Sequence, residues 1–589
     1  MSNLSKIRRD KMIEFLEMLK EQHSDDESLI AINQIEKELA SKRYGLVWEE
    51  HEEAVDVMMR DNIPVFTEIK EREISMAEGE EYNFLLEGDN LHSLHLLEKT
   101  HRGKVDVIYI DPPYNTGKKD FTYNDKMVAL DDGYRHSKWL SFMSERLLIA
   151  KTLLNCKGII FISIDDNEQA ALKLLCDGIF GEENFISMLS VENNPKGRKN
   201  SSFISVSNEY CLIYAKNKNA SYFIENIPKP AGDLSLDENG VYVHNSGKRV
   251  LVGENSFNKK VENYDSDKHY SVYFNERIQD LLLLKDEGIN KPNERLLKSG
   301  YRRYYSYYGN DFVENTYSMS KFEELFSRGA LDFKDDKIYE KNFSTTIRIK
   351  SLLTNRKYEA IVNNEKVEYQ IDVKTTSAGT ELKSIFNTTK PIFTNPKNVN
   401  YIRILISLLE NKNITILDFF AGSGTTAQAI MEQNREDGGK RKFILCTNND
   451  NKICEEITYQ RIKTVITGIR ADGSEYSKGI PANLKYYCTD FVSKDDEYLS
   501  DSLLDHVAEM IQLEQGIKLD NKSYIMIMND EEADELEQNW SQYTDIKAIY
   551  VAQDVLLTAS QEVLFSTVDV HIIPDYYFNF ELREAGELW

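Results

Sequence analysis

Cysteine is scarce in this chain. The six among 589 residues (Cys156, Cys176, Cys211, Cys446, Cys454 and Cys488) lie far apart, and no two form a Cys-x-x-Cys pair. That spacing argues against a zinc-ligand set, and reduced core thiols in a cytosolic protein are expected. No run of eighteen apolar residues and no charged–apolar–small leader occurs. Neither a membrane span nor a signal peptide is therefore expected, and the expected location is cytoplasmic. Gly-x-x-x-x-Gly-Lys-Ser/Thr is missing too, which makes ATP a poor candidate ligand. Basic charge is also short: the formal net charge is −26, where a polyanionic partner would demand clustered Lys and Arg. Much of that deficit is local. Residues 493–589 hold 22 Asp and Glu against 5 Lys and Arg, a balance of −17 that leaves −9 for the rest. Their acidity points to a protein partner or to plain solubility. A chain of 589 residues implies two to four domains.

The most informative stretch is Val105-Asp-Val-Ile-Tyr-Ile-Asp-Pro-Pro-Tyr-Asn-Thr-Gly117. Val105, Val107, Ile108 and Ile110 give the near-continuous apolar run of a strand buried on both faces of a parallel sheet. At its end stand a carboxylate (Asp111), two prolines (Pro112, Pro113) and an aromatic ring (Tyr114). Each proline biases the residue before it toward extended backbone, so the turn is stiff. It holds one acceptor, nearby carbonyls and one flat apolar face in fixed relation, a set that suits a planar base carrying an exocyclic amine. The blander alternative is a turn in which Asp111 only caps the next helix.

A second strand, Ile414–Asp418, runs into Phe419-Phe-Ala-Gly-Ser-Gly-Thr-Thr426 and then a helix start. Strand, Gly-x-Gly, helix is the loop of a nucleotide-type cofactor site, where glycines admit the ligand and the helix N-terminus offers N–H donors. No third glycine follows two residues on, so the dinucleotide fingerprint is incomplete.

Together the two motifs resemble those of the S-adenosylmethionine-dependent DNA amino-methyltransferases. The family's Asp/Asn/Ser-Pro-Pro-Tyr/Phe motif matches Asp111–Tyr114, and its Phe-x-Gly-x-Gly motif matches Phe420, Gly422 and Gly424. The order, catalytic motif first, resembles the permuted β class. More closely, the chain looks like the modification (Mod) subunit of type III restriction–modification systems. That likeness is carried by Asn83–Asn90, His136–Leu140, Phe161–Asp166, Asn208–Tyr210, Tyr214–Lys216 and Arg441–Asn449. It covers most of residues 40–225 and 385–470.

The resemblance implies an α/β fold, a doubly wound Rossmann-like sheet in circularly permuted motif order. In such a sheet the strands ending at Ile110 and Asp418 would be neighbours at the switch point, so permutation leaves one shared crevice. It implies S-adenosylmethionine as cofactor and methyl transfer to the N6 amine of a flipped-out adenine in double-stranded DNA. Asp111, Pro112, Pro113 and Tyr114 are the implied catalytic residues. Asp418, Phe420, Gly422, Gly424 and Asp89 are the implied cofactor contacts, with Phe393 and Lys397 from the family's Phe-x-x-Pro-Lys element. No metal is implied. Where many methyltransferases place an acid for the ribose, Thr447-Asn448-Asn449 stands here, leaving Asn449 or the displaced Asp450. A homodimer is implied, with a separate ATP-dependent helicase–nuclease subunit for any restriction, since no helicase or nuclease motif is present. An orphan or N4-cytosine enzyme, where Ser usually replaces the Asp, and a silent DNA-recognition subunit are the alternatives. C5-cytosine chemistry is excluded by the lack of a Pro-Cys pair.

The expected organisation is a helical N-terminal extension (1–80, with a helical hairpin over 1–45), a catalytic half (81–224), a target-recognition domain (225–385), a cofactor half (386–492) and a small acidic α/β extension (493–589). DNA contacts are expected from the basic loop Lys196, Arg198, Lys199 and from Arg302 and Arg303 among Tyr301, Tyr304, Tyr305, Tyr307 and Tyr308, where cations interleave with aromatics. The alternative for the latter is a Tyr-rich strand packed in a core.

Overall fold

Apolar runs bounded by turns build one large mixed sheet. The protein is described from a computed structural model covering residues 15–16, 48–117, 121–123, 126–129, 131–197, 203–244, 249–519 and 521–586. The hairpin expected over 1–45 lies, apart from 15–16, outside the described residues.

The sheet has eleven strands: β1 Asn62–Glu68, β2 Ile74–Ser75, β3 Tyr82–Glu87, β4 Val105–Ile110, β5 Leu154–Ile164, β6 Phe185–Val191, β7 Glu209–Ala215, β8 Leu352–Leu353, β9 Thr415–Asp418, β10 Lys442–Thr447 and β11 Asn483–Ser493. Their spatial order is β1-β11-β3-β10-β9-β4-β5-β7-β6-β8, with β2 on β11. From β11 to β5 every neighbouring pair is parallel, while β1, β7 and β6 run antiparallel to their inner neighbours. Central parallel strands are covered on both faces, which is why β4 and β9 read as unbroken apolar runs.

β9 and β4 are adjacent, with Ile416 opposite Val107 and Leu417 opposite Ile108. From β9 the chain passes through helix Thr425–Asp437 to β10 on one side. From β4 it passes through helix Arg135–Leu153 to β5 on the other. The connections leave in opposite directions, so a crevice opens outside the carboxyl ends of these two strands.

Three boundaries differ from expectation. Residues 62–68, placed in a helical extension by the sequence reading, form edge strand β1; Ile63, Val65 and Phe66 are buried there, and an edge tolerates Pro64. The inserted unit is smaller than 225–385. By contacts it comprises 224–350 and 355–372, while 351–354 and 373 onward belong with the large sheet. It is built of short antiparallel pieces around Val252, Val272, Phe274, Tyr304, Phe322 and Ile338. Residues 493–589 are not a free-standing appendage. Leu499, Leu503, Val507, Met510, Tyr577 and Phe578 share one apolar cluster with Phe66, Leu86 and Leu97. The rest of that segment forms a three-stranded parallel sheet, Tyr524–Ile527, Ala548–Ala552 and Asp569–Ile573. Among the described residues no helix is long and apolar enough to cross a membrane.

Candidate active site

The turn after β4 is held from several sides. Trp139, buried on helix Arg135–Leu153, donates its indole N–H to the Pro113 carbonyl at 2.7 Å. Asn115 follows at φ 56°, a left-handed conformation that asparagine tolerates better than most residues. Its side-chain amide donates to Glu168 Oε1 at 2.5 Å and to the Arg135 carbonyl at 3.3 Å. Glu168 also meets His136 Nδ1 at 2.6 Å, and burial pushes its carboxyl above the ordinary range.

Around Asp111 and Tyr114, both half-buried, lies a cluster of charges. The Lys397 ammonium is 2.5 Å from the Tyr114 hydroxyl, 2.7 Å from Glu209 Oε1 and 3.3 Å from Asp111 Oδ1. Glu209, the first residue of β7, accepts at Oε2 from the Tyr114 hydroxyl at 3.2 Å and from the Asn193 amide at 2.9 Å. The Asp111 Oδ1 atom is itself buried, and the Lys397 ammonium at 3.3 Å is its nearest charged neighbour. Burial pushes the Asp111 carboxyl above its ordinary value; Lys397 opposes that rise and Glu209 adds to it. Lys397 is held above its usual value because Asp111 and Glu209 outweigh its own desolvation.

The second turn faces the same crevice. Asp418, buried at the end of β9, accepts from the Phe420 backbone N–H at 3.0 Å and the Thr426 hydroxyl at 2.5 Å. Burial pushes its carboxyl up to about 7. Gly422 and Gly424 have φ of 48° and 74°, and a Cβ at either would stand 3.2 Å from Phe393 Cζ or Thr458 Cγ2. Helix and loop neighbours pin this turn: Thr458 donates to the Gly422 carbonyl at 2.5 Å, Arg461 to the Ser423 carbonyl at 3.2 Å, and Asn90 to the Phe419 carbonyl at 3.0 Å. Phe420 packs on Phe142 with ring centroids 5.9 Å apart.

Asp89 caps helix Asn90–His101, its carboxylate accepting from the Leu91 N–H at 2.8 Å, and lies 3.3 Å from Arg146 Nη2. The Asn449 amide donates to Glu87 Oε1 at 2.8 Å, whereas Asp450 takes the Asn448 amide at 2.9 Å. Phe393 packs against the Gly422 turn, whereas Lys397 stands with the Asp-Pro-Pro-Tyr carboxylate.

The DNA-contact candidates fare unevenly. Lys196 is exposed in a turn; Arg198 and Lys199 lie outside the described residues. Within the inserted unit Arg302 is exposed, but Arg303 is not the free cation expected. Its side chain is 7% exposed, pairs with Asp286 at 2.7 Å and donates to the Ile289 carbonyl at 2.5 Å. Tyr304 is buried in that unit's core, whereas Tyr308 is exposed. The Tyr-rich segment is thus partly a packed strand.

Sequence reasoning missed Glu209, Asn193, Asn115, Glu168 and Arg146. One signal was available for Arg146: it falls in the apolar stripe Trp139, Met143, Leu147, Ala150 of its helix. Glu209 stood in a matched segment but its role depended on a fold partner far away in sequence.

A family model described as DNA methylase matches residues 105–460. The EcoPI Mod subunit of a type III restriction-modification enzyme from Escherichia phage P1 is 31% identical over 451 residues, 71% of this chain and 65% of that protein. The StyLTI Mod subunit from Salmonella typhimurium is 30% identical over 428 residues, 66% of this chain and 58% of that protein. The type II methyltransferase M.KpnI of Klebsiella pneumoniae is 33% identical over 377 residues, 63% of this chain and 82% of that protein. The alignments thus span less than two thirds of the two Mod subunits.

Proposed function

The chain belongs to the DNA methylase family, and from that premise we propose that it methylates the N6 amine of adenine in double-stranded DNA as a type III Mod subunit. One observation carries the reading: the Asp111–Tyr114 turn and the Gly422–Gly424 turn end adjacent parallel strands and open on one crevice. Mod subunits among the relatives support the type III assignment.

The residues fit S-adenosylmethionine. Gly422 and Gly424 hold left-handed backbone packed so closely on Phe393 and Thr458 that a side chain at either would crowd them, and the N-terminus of helix Thr425–Asp437 follows directly with its free N–H donors. Phe420, Gly422, Gly424 and Phe393 would hold the cofactor, with Asp418 bracing the turn and Asp89 near its adenine. When bound, the cofactor supplies an electrophilic methyl group on a sulfonium.

Asp111 and the Pro112 carbonyl accept the two amine hydrogens of the flipped adenine, which favours a pyramidal nitrogen with its lone pair free. As positive charge develops on that nitrogen, the same acceptors stabilise it. The Pro113 carbonyl already accepts from the Trp139 indole, which fixes the turn. Tyr114 offers a stacking face worth about 1–3 kcal/mol. Its hydroxyl is pinned by Glu209 and Lys397, so the ring is set before the base arrives. Flipping itself costs a few kcal/mol, recovered from such contacts. Lys196 and Arg302, with Arg198 and Lys199, are the proposed DNA-backbone contacts. A homodimer, a separate ATP-dependent restriction subunit and a cytoplasmic setting complete the proposal.

The test is base-modification sequencing of genomic DNA from a methylation-free host expressing wild type or Asp111→Ala. N6-methyladenine at one short motif, with wild type only, is the expected result. Methylated cytosine, or methylation retained by Asp111→Ala, would overturn the reading.

A further inference from the structure

We propose that Lys397 and Glu209 act as a coupled pair of positioning residues that keep Asp111 an open, ionised acceptor for the adenine amine. The inference rests on the methyltransferase reading above and reassigns Lys397 from the cofactor to the base side.

The argument begins with burial. A lone carboxylate removed from water drifts toward its neutral form. A protonated Asp111 would offer the incoming amine a hydrogen where an acceptor is needed. A cation nearby prevents that, and Lys397 is the one within 3.3 Å. A lysine bonded to Asp111 alone, however, would occupy the oxygen that the base must use. Glu209 resolves the conflict. It draws the ammonium to 2.7 Å, so that Lys397 faces Asp111 Oδ1 at the longer distance of 3.3 Å, in Coulombic reach but with its closest bonds to Glu209 and Tyr114. A carboxylate oxygen held only by a 3.3 Å ion contact keeps lone-pair capacity for an incoming donor.

Glu209 is anchored in turn. The Asn193 amide at 2.9 Å and the Tyr114 hydroxyl at 3.2 Å fix its second oxygen. The set Asp111, Glu209 and Lys397 carries one net negative charge, matched to the positive charge that develops on the amine. With Lys397 removed the pocket would hold two facing carboxylates, and with Glu209 neutral it would hold a closed ion pair. Only the three together give an ionised yet open acceptor.

The charged and titratable groups around Asp111 are Lys397 from the turn before helix Val399–Ile406, Glu209 from β7, Tyr114 from its own turn, Tyr109 from β4 and Asp418 from β9. Only Lys397 among them favours the ionised form by charge, so the two proposed residues act on Asp111 with opposite signs.

Single-turnover methylation of plasmid DNA from a methylation-free host, followed from pH 5.5 to pH 9.5, tests this. Lys397→Met should move the acid limb of the rate upward by about one pH unit or more, the size of shift an adjacent opposite charge produces, with rate recovered at high pH. Glu209→Gln should move the limb downward and lower the plateau about tenfold or more, because Lys397 then closes on Asp111. Lys397→Arg should keep the wild-type limb. Cofactor binding by calorimetry should change less than threefold in all three. A uniform loss of rate at every pH, or limbs that move the same way, would overturn the inference. Should Lys397→Met fail to fold, the direction of the Glu209→Gln shift decides alone. If wild type itself transfers no methyl group, the functional reading fails instead.

Discussion

Replacing Arg146 by Met probes a fully buried guanidinium that braces both halves of the crevice. Its Nη1 and Nη2 donate to Glu53 at 2.7 Å and 3.1 Å, its Nε to Asn90 Oδ1 at 2.5 Å, and its Nη1 to the Phe142 carbonyl at 2.8 Å. Nη2 also lies 3.3 Å from Asp89, and Asn90 passes the support to the Phe419 carbonyl. Methionine fills much of the space, so the cavity left is small. The main cost is Glu53, 7% exposed, deprived of its counter-charge. Breaking a buried pair in this way costs about 3–5 kcal/mol, a large share of a typical 5–15 kcal/mol stability.

The sign of the pH dependence follows. Burial already holds the Glu53 carboxyl above its ordinary value against the pull of Arg146, and losing Arg146 raises it further. An acid with a raised folded pKa takes up protons on folding, so its stability is present at low pH and lost as pH rises. The deficit of Arg146→Met relative to wild type should therefore be larger at pH 8 than at pH 5. Adding Glu53→Gln should return on the order of 1–3 kcal/mol, a coupling expected of residues in contact. Urea unfolding at both pH values measures all of this, and a cofactor titration should show affinity reduced about tenfold, some 1.4 kcal/mol. A variant within about 1 kcal/mol of wild type at pH 8 would refute the reasoning, as would a cost indifferent to pH and to Glu53→Gln.

Two further outcomes are expected. Asp418 has its carboxyl pushed up to about 7 against an ordinary value near 3.9, so its contribution is present at acid pH and is lost as pH climbs through about 7. The stability of wild type minus that of Asp418→Asn should fall between pH 4 and pH 8 by on the order of 4 kcal/mol, and a flat difference would show that Asp418 titrates normally. Truncation after Asp490 cuts β11 and strips Leu499, Leu503, Val507 and Met510 from the shared core. At about 1.5–3 kcal/mol for each large apolar side chain, the truncated protein should be insoluble or molten, and a cooperative melt near the wild-type temperature would contradict this packing.

Much of the fold was legible because its signals are local. The apolar runs before Asp111 and Asp418 could only be strands covered on both faces, and the prolines and glycines marked where each ended. What escaped detection was structure whose pattern is blurred by position. Edge strand β1 alternates poorly and contains Pro64, while β11 carries Lys485, which is buried only because Glu68 pairs with it at 2.5 Å. Neither run reads as a strand until its neighbour is in place.

The candidate site divides along the same line. The sequence by itself determined the two motifs, their residue types and their stiffness, since a Pro-Pro turn and left-handed glycines are set by backbone sterics within a few residues. The tertiary structure alone decided the electrostatics. Lys397 and Glu209 are 188 residues apart, and Lys397 and Tyr114 are 283 apart, yet one cluster holds all three with Asp111. Which charge faces which depends on strand order across the sheet. Arg303 makes the converse point, for a cation that looks free in the sequence is consumed by Asp286 inside its own unit. Charge acts through distance in space, and sequence spacing carries that distance only within an element.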